Sequence, residues 1–578
     1  MFQHLNADIK IACVVIGIHT GLLAWSACIH TPNLDEIAHL PAGISIWRFG
    51  EFRAYPVNPP LVKLIAALPV LAVAHNEDWR ELWADPFSRP EWKLGGAFVE
   101  ANGPKSLFYY KIARLACVPF SALGALVCCC WARELYGKAS GTIATVLWCS
   151  CPNVLTWGAT INPDVGAASL TALAAYTFWR WRERQTWRGA VVAGTVLGLA
   201  LLAKFTCIVL FAVFPFLWLT DTSLRRCLPA RRRVQSSLQF LCLLNISLVL
   251  LNAGYGFRGS LVRLDSFQFI SKALSGVRGF RQAGNRFVGT MAGALPVPLP
   301  AMYFQGMDIQ KEDFEDGAWS YLRGEWRFGG WWYFYIYAIL VKTPIGTLLL
   351  SCLSLWLYVA WGAVFRRSSH DLILLVPATV VFLLVSSQTG FSRHLRYVLP
   401  CFPFWYIWIS RVGIAFERRL HAVQVFVVAF SLASVGDSLR HYPHSLSYFN
   451  QVAGGPLGGH WYLVDSNIDW GHDTQLYKEW VDAHPEARPL TSSLVDPFPL
   501  KQLGLAEKMD APQKPNSAEG SLELTTEGKH HYKAGLAPGW YAYSIDRLHD
   551  RSNAYLGLLY NLKPHEMIGY TIYVYKIE

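Results

Sequence analysis

The sequence predicts an all-α polytopic membrane protein of about eleven transmembrane helices, with interfacial helices and a small C-terminal α+β soluble domain. Three observations carry this prediction. Of 578 residues, 53% are hydrophobic and only 16% charged, whereas a soluble domain carries about 25% charged residues. So much apolar surface exceeds what a single aqueous core buries. Long windows lack Asp, Glu, Lys and Arg altogether, and polar composition returns only after residue 437. The same figures exclude a disordered chain, a collagen and a small disulfide scaffold.

A spanning helix needs roughly 17–25 mostly apolar residues. Charge-free windows cover 11–34, 115–132, 139–163, 165–179, 189–203, 205–220, 234–257, 343–365, 372–392 and 397–410, and 420–436 is apolar after Arg419. The first window is too long for a signal peptide, and SACIHTPNLDE is a poor cleavage site, so a retained helix is expected. Windows 189–203 and 205–220 are short and separated only by Lys204, which predicts a tight hairpin turning at one membrane face.

Basic residues divide the loops into two sets. Arg133 and Lys138, then Arg180, Arg182, Arg184 and Arg188, then Arg225, Arg226 and Arg231–Arg233, then Arg366 and Arg367, then Arg411, Arg418 and Arg419 occupy alternate short loops. These read as cytoplasmic. Loops 31–110 and 254–342, the Lys204 turn, 388–396 and everything after 437 then face outward. The net charge of +11 is thus explained by topology, and no nucleic-acid partner is expected. Thirteen cysteines are present, most of them inside the windows, where they serve as small apolar residues. No disulfide framework or zinc-type CxxC pair is expected outside the membrane.

Outward loop 31–110 holds two amphipathic pieces. DEIAHLPAGISIW places Ile37, Leu40, Ile44 and Trp47 at helical spacing, which suits an interfacial helix. PPLVKLIAALPVLAVA is apolar but short, and predicts a second interfacial or re-entrant helix. Loop 254–342 ends in an aromatic belt of Trp331, Trp332, Tyr333, Tyr335 and Tyr337. Residues 1–436 form the transmembrane domain and 437–578 the soluble one. In the latter, HWYLVD, GWYAYSID and YTIYVYKI read as strands, flanking a flexible stretch near 508–530.

Asp35 and Glu36 are the first candidates for chemistry. Two acids beside a bilayer are costly unless they serve something, and a helix N-terminus holds a carboxylate ionised. Capping with a solvated neighbour is the plainer reading. Asp164, after Pro163, opens another span at an outward face and reads equally as a cap. Outward cations follow: Lys63, Lys204, Lys342, Arg393, His394 and Arg396. Snorkelling explains any one of them; the whole set fits an anionic lipid headgroup better. The chemistry this suggests is transfer of a group from a lipid phosphate to an acceptor hydroxyl. A carboxylate takes the hydroxyl proton, and cations stabilise the phosphate leaving group. In the tail, Asp465, Asp469, His472 and Asp473 of DSNIDWGHD read as turn and cap residues, with cation or acceptor binding as the alternative.

At this point the sequence resembles a known family. DEIAHLPAGISIWRFGEFRAYPVNPPLVKLIAALPVL is similar to the first outward loop of type C glycosyltransferases of the protein O-mannosyltransferase and aminoarabinose-transferase kind (glycosyltransferase family 39-like). NPDVGAASLTALAAY, LALLAKFTCIVL, GWWYFYIYAILVKTPIGTLLL, SRHLRYVLPCFPF, YPHSLSYFNQVAGGP and YLVDSNIDWGHD also resemble segments of bacterial members, in order, over residues 31 to 475. The resemblance implies a polyprenyl-phosphate sugar donor, inversion at the anomeric carbon, Asp35 as catalytic carboxylate with Glu36 beside it, and Asp164 as a second acidic position. Asn58 stands where relatives often place His or a charged residue before the Pro-Pro pair. No cofactor is expected with certainty; a divalent cation is left open. The expected location is the cytoplasmic membrane, with the active site and C-terminal domain facing the exterior. A lipid-linked glycan flippase would instead put charges near the bilayer midplane, and a non-catalytic assembly protein would lack a cavity joining Asp35 to the bilayer.

Overall fold

The chain is a multi-pass membrane protein. The computed structural model describes residues 7–83, 85–220, 229–277, 282–365, 368–505, 523–524, 530–531, 538–551, 559 and 562–577. Among these, six helices are long and apolar enough to cross a membrane: Ala7–Ile29, the stretch Glu91–Tyr136, Ala230–Gly254, His370–Ser387, Leu395–Glu417 and His421–Arg440. Phe334–Lys342 and Ile345–Ala360 form a seventh span if the pair, bent by 113° at Thr343-Pro344, is taken as one. The remaining windows fall on shorter or more polar helices. Trp187–Ala203 and Phe205–Thr220 are apolar but short, with Lys204 as the extended residue between them. Window 139–163 is cut by Pro152 into Lys138–Ser150 and Pro152–Trp157. Pro163–Arg184 is buried along nearly its whole length, at the centre of the main core.

The first five helices build the frame of the site: α1 (Ala7–Ile29), α2 (Leu34–Phe49), α3 (Leu61–Leu71), α4 (Glu91–Asn102) and α5 (Ser106–Tyr136). Here α2 differs from the interfacial helix expected of it. Every residue from Asp35 to Ile46 is buried. Ile37, Leu40 and Ile44 pack on α3 and α5, while Ala38 and Ala42 pack on Tyr55, Val57 and Leu94. A helix apolar on all sides is a core helix, and the small residues on its second face were the available sign. Gly43 is what lets α2 meet α3 so closely. A Cβ there would stand 2.1 Å from the Lys63 carbonyl oxygen.

α5 links the two ends of the bundle. Arg114 near its start reaches Glu36 on α2. Arg133, about five turns on, pairs with Asp8 at 3.1 Å. Nineteen residues at a rise of 1.5 Å make roughly 28 Å, close to the hydrocarbon thickness of a bilayer. Arg225, Arg226, Arg366 and Arg367 lie outside the described residues.

The C-terminal region holds a four-stranded sheet in the order Leu490–Ser493, Gly539–Ser544, Ile572–Ile577, Glu566–Ile568. The first pair is parallel and the other two antiparallel, with Tyr541 opposite Tyr575. Two of the three expected strand runs are here. HWYLVD is not a strand: its amides are spent on turn bonds to Gly458 and Gly459, and Asp465 takes a positive φ of 63°. The 508–530 stretch lies outside the described residues apart from a two-residue pairing of Glu523–Leu524 with His530–His531. All described cysteines are free.

Candidate active site

Asn33 sets the geometry of the first acids. Its side chain caps α2 by accepting from the amides of Asp35 and Glu36 at 3.1 and 3.2 Å, and Glu36 Oε2 accepts the Asn33 amide at 2.9 Å. This reciprocal box turns the two acids in different directions. Glu36 points inward and is fully buried. It accepts Arg114 Nε at 2.7 Å and Nη2 at 2.5 Å, and the amide of Ile161 at 3.0 Å. Asp35 points into a cavity of about 460 Å³.

Around Asp35 the hydrogen bonds fall on one oxygen. Oδ2 accepts from Arg396 Nη2 at 2.6 Å, Trp470 Nε1 at 3.0 Å and Asn162 Nδ2 at 3.1 Å. None of the described residues gives Oδ1 a hydrogen bond. Burial pushes this carboxyl up, but the charge of Arg396, aided by the Trp470 bond, outweighs it and leaves the pKa at about 2. Asp35 is therefore a fixed anion at neutral pH, with one oxygen held and the other open.

Cations and acids alternate around the cavity. Lys204 pairs with Asp164 and lies 5.0 Å from the Tyr397 ring centroid. Arg396 also lies 3.8 Å from Asp164 Oδ2 and stacks over Trp157 at 4.5 Å. Its Nε and Nη1 are buried without a hydrogen-bond partner. Two unspent donors on a buried guanidinium are what an entering anion would satisfy. Arg89 pairs with Asp313 on the facing helix Ala301–Asp316. That helix comes close because Gly306 lies against Pro56, where a Cβ would stand 2.2 Å from the carbonyl oxygen.

Of the residues singled out from sequence, Asp35, Asn58, Asp164, Lys204, Arg393, His394 and Arg396 all line this cavity. Three do not. Glu36 is held by Arg114. Lys63 lies behind the wall, donating to the carbonyls of Tyr55 and Asn58 at 2.6 Å each, and so pins the loop that carries Asn58. Lys342 donates to the carbonyls of Leu446 and Asn467 at 2.6 Å each and stacks on Phe449. A buried ammonium aimed at backbone oxygens is a clamp, and sequence does not distinguish it from one aimed at a ligand. Arg393 donates to the Trp319 carbonyl at 2.8 Å and faces Asp465 at 3.5 Å. His394 hydrogen-bonds Ser466.

Sequence reasoning missed His39, Trp470, Asn162 and Tyr397. His39 was legible: at i+4 from Asp35 it shares a helix face, and it stacks on Tyr55 with centroids 4.7 Å apart. Burial and the charge of Lys63 hold it down at about 3, so it is neutral. Burial and Arg396 likewise hold His394 neutral. Trp470 comes from 435 residues away and carried no local sign. In the tail motif, burial and the neighbouring Asp473 push Asp469 up to about 7.

A second cavity of about 460 Å³ adjoins the first. The two share Lys204, Gln310, Phe314 and Tyr397. Its other walls include Phe205, Ile208, Phe304 and Met307, with Leu384 and Val385 of the span His370–Ser387. A charged chamber thus shares a wall with an apolar one bounded by a membrane helix.

Residues 110–251 match the family model described as dolichyl-phosphate-mannose-protein mannosyltransferase. That stretch includes Asp164 and Lys204. Two solved structures align along nearly the whole chain: ArnT from Cupriavidus metallidurans in the apo state (13% identity, 98% of each chain, TM-score 0.44) and the same protein bound to undecaprenyl phosphate (12% identity, 97% of each chain, TM-score 0.44). No curated protein matches the sequence.

Proposed function

We propose that this protein is an integral-membrane glycosyltransferase that moves a sugar from a polyprenyl-phosphate donor to an acceptor hydroxyl at the outer face of the cytoplasmic membrane. The observation that carries the reading is the adjacency of the two cavities. A charged chamber with Asp35 and Arg396 in its wall shares Lys204, Gln310, Phe314 and Tyr397 with an apolar chamber bounded by a membrane-spanning helix. The matched family model, named for transfer from a lipid-linked mannose, supports the same class of reaction.

The mechanism follows from the charges. The donor phosphate enters beside Arg396 and Lys204, and its tail takes the apolar chamber. Arg396 satisfies its unspent Nε and Nη1 on the phosphate. Its hold on Asp35 is thereby shared, and the Asp35 carboxylate becomes a better base than it is in the empty site. The acceptor oxygen attacks the anomeric carbon as the bond to the phosphate oxygen breaks. The hydroxyl proton passes to Asp35 Oδ1, and the bonding pair leaves on the phosphate, where Arg396 and Lys204 stabilise it. One displacement inverts the anomeric centre. Confinement of donor and enzyme to one membrane plane supplies much of the positioning. Glu36 serves by fixing the first turn of α2.

The test is incubation of purified protein with a panel of radiolabelled polyprenyl-phosphate sugars and membrane acceptors, followed by product analysis. One donor is expected to give a transferred sugar and free polyprenyl phosphate. Binding of every donor with no cleavage of any would overturn the enzyme reading.

A further inference from the structure

On the far side of the Asp35 turn, three histidines surround the oxygens of one carboxylate, Asp473. His30 ends the first span, His444 follows the last, and His472 and Asp473 lie in the C-terminal region. His30 Nδ1 is 3.2 Å and His444 Nδ1 3.8 Å from Asp473 Oδ1, and the three atoms lie within 4.8 Å of one another. His472 Nε2 is 3.5 Å from the other oxygen. His30, His472 and Asp473 are more than nine-tenths buried. Among the described residues, neither nitrogen of His472 has a hydrogen-bond partner, and the inner nitrogens of His30 and His444 meet only Asp473 Oδ1.

The outer contacts decide what these atoms offer. His30 Nε2 lies 3.3 Å from the Pro443 carbonyl. A carbonyl only accepts, so Nε2 carries a proton, and Nδ1 is the nitrogen turned toward Asp473. Thr571 Oγ1 donates to Asp473 Oδ2 at 2.8 Å, which leaves Oδ1 facing the rings. His30 Nδ1 and Asp473 Oδ1 therefore face each other at 3.2 Å, placed to share a cation. Backbone-bonded imidazole and hydroxyl-bonded carboxylate are the usual outer supports of metal ligands. Donors around a tetrahedral ion at about 2.0–2.1 Å stand roughly 3.3 Å apart, near the spacings seen here. Two imidazoles and one carboxylate suit zinc-class ions, whereas calcium and magnesium take oxygen ligands.

We propose that His30, His444 and Asp473 bind one divalent transition-metal ion of the zinc class that clasps the first span, the loop after the last span and the C-terminal region together. The clasp has a route to the cavity. The Thr31 amide donates to the His472 carbonyl at 2.8 Å, and Trp470, two residues before it, holds Asp35. The ion is a positioning element and touches no substrate.

The test uses the full chain, purified in detergent, stripped with chelator and titrated with Co²⁺. One equivalent is expected to raise the visible absorption of tetrahedral Co²⁺, and Zn²⁺ to displace it and raise the melting temperature. His444→Ala, at the most exposed ligand, is expected to weaken uptake by at least about tenfold, with no change in the melting temperature of the stripped protein. His565→Ala, on the surface, is expected to leave uptake unchanged. A wild type that gives no tetrahedral spectrum, or a folded His444→Ala that binds as the wild type does, would overturn the proposal. If His444→Ala does not fold, the wild-type titration decides alone. The readout is metal uptake, so failure here leaves the transfer reading standing.

Discussion

Asp35→Asn isolates the proposed base from everything else the side chain does. The amide is nearly isosteric, and its oxygen can still accept from Trp470 and Asn162, which now hold Oδ2 at 3.0 and 3.1 Å. Its nitrogen, in place of Oδ1, cannot take a proton. Loss of a general base costs about 10²–10⁴ in rate, equivalent to roughly 3–5 kcal/mol of barrier at about 1.4 kcal/mol per tenfold. Donor affinity should not fall. Arg396 loses its 2.6 Å carboxylate partner and is more available to phosphate, so KM for the donor stays level or drops while kcat collapses. The protein loses roughly the 2 kcal/mol tied to the Asp35 carboxylate, and stays folded because Arg396 keeps Asp164 at 3.8 Å and the Trp157 face at 4.5 Å. The assay is turnover of a radiolabelled polyprenyl-phosphate sugar in detergent, with thermal unfolding of the same preparation. A folded Asp35→Asn enzyme that keeps more than about a tenth of wild-type turnover refutes the reasoning.

Three further outcomes are expected. Glu36→Gln strands the buried Arg114 charge and should destabilise the protein by roughly 3–5 kcal/mol, seen as a lowered melting temperature; Arg114→Met added to it should recover part of the loss, and no recovery would argue against the pairing as the cause. Lys204→Met should raise KM for the donor far more than it lowers kcat, because it removes a phosphate contact and leaves Asp35 intact; a pure kcat effect would contradict that role. Asp35, at about 2 in the folded protein against an ordinary 3.8, contributes stability that is complete above about pH 5 and is lost as pH falls through 3.8 toward 2. This is worth roughly 2 kcal/mol, and melting curves between about pH 6 and pH 3 should be flatter for Asp35→Asn than for wild type.

The sequence by itself determined the class of molecule and the chemical types at its site. Charge-free windows and segregated arginines follow from the cost of polar groups in lipid, a local constraint that leaves its mark residue by residue. So Asp35, Asp164, Lys204, Arg393, His394 and Arg396 were legible as ionic groups at the ends of apolar runs, and they line one cavity. Tertiary structure alone decided which neighbours serve it. Asp35 and Glu36 are adjacent in sequence, yet a helical turn sends one to the chamber and the other to Arg114. Lys204 and Lys342 look alike between apolar runs, yet only Lys204 faces the chamber, while Lys342 clamps backbone carbonyls. Trp470 on Asp35, and the meeting of His30, His444 and Asp473, depend on contacts across more than 400 residues of chain for Trp470–Asp35, His30–His444 and His30–Asp473. Periodicity records which face of a helix is apolar; it carries no record of what a distant segment brings to that face.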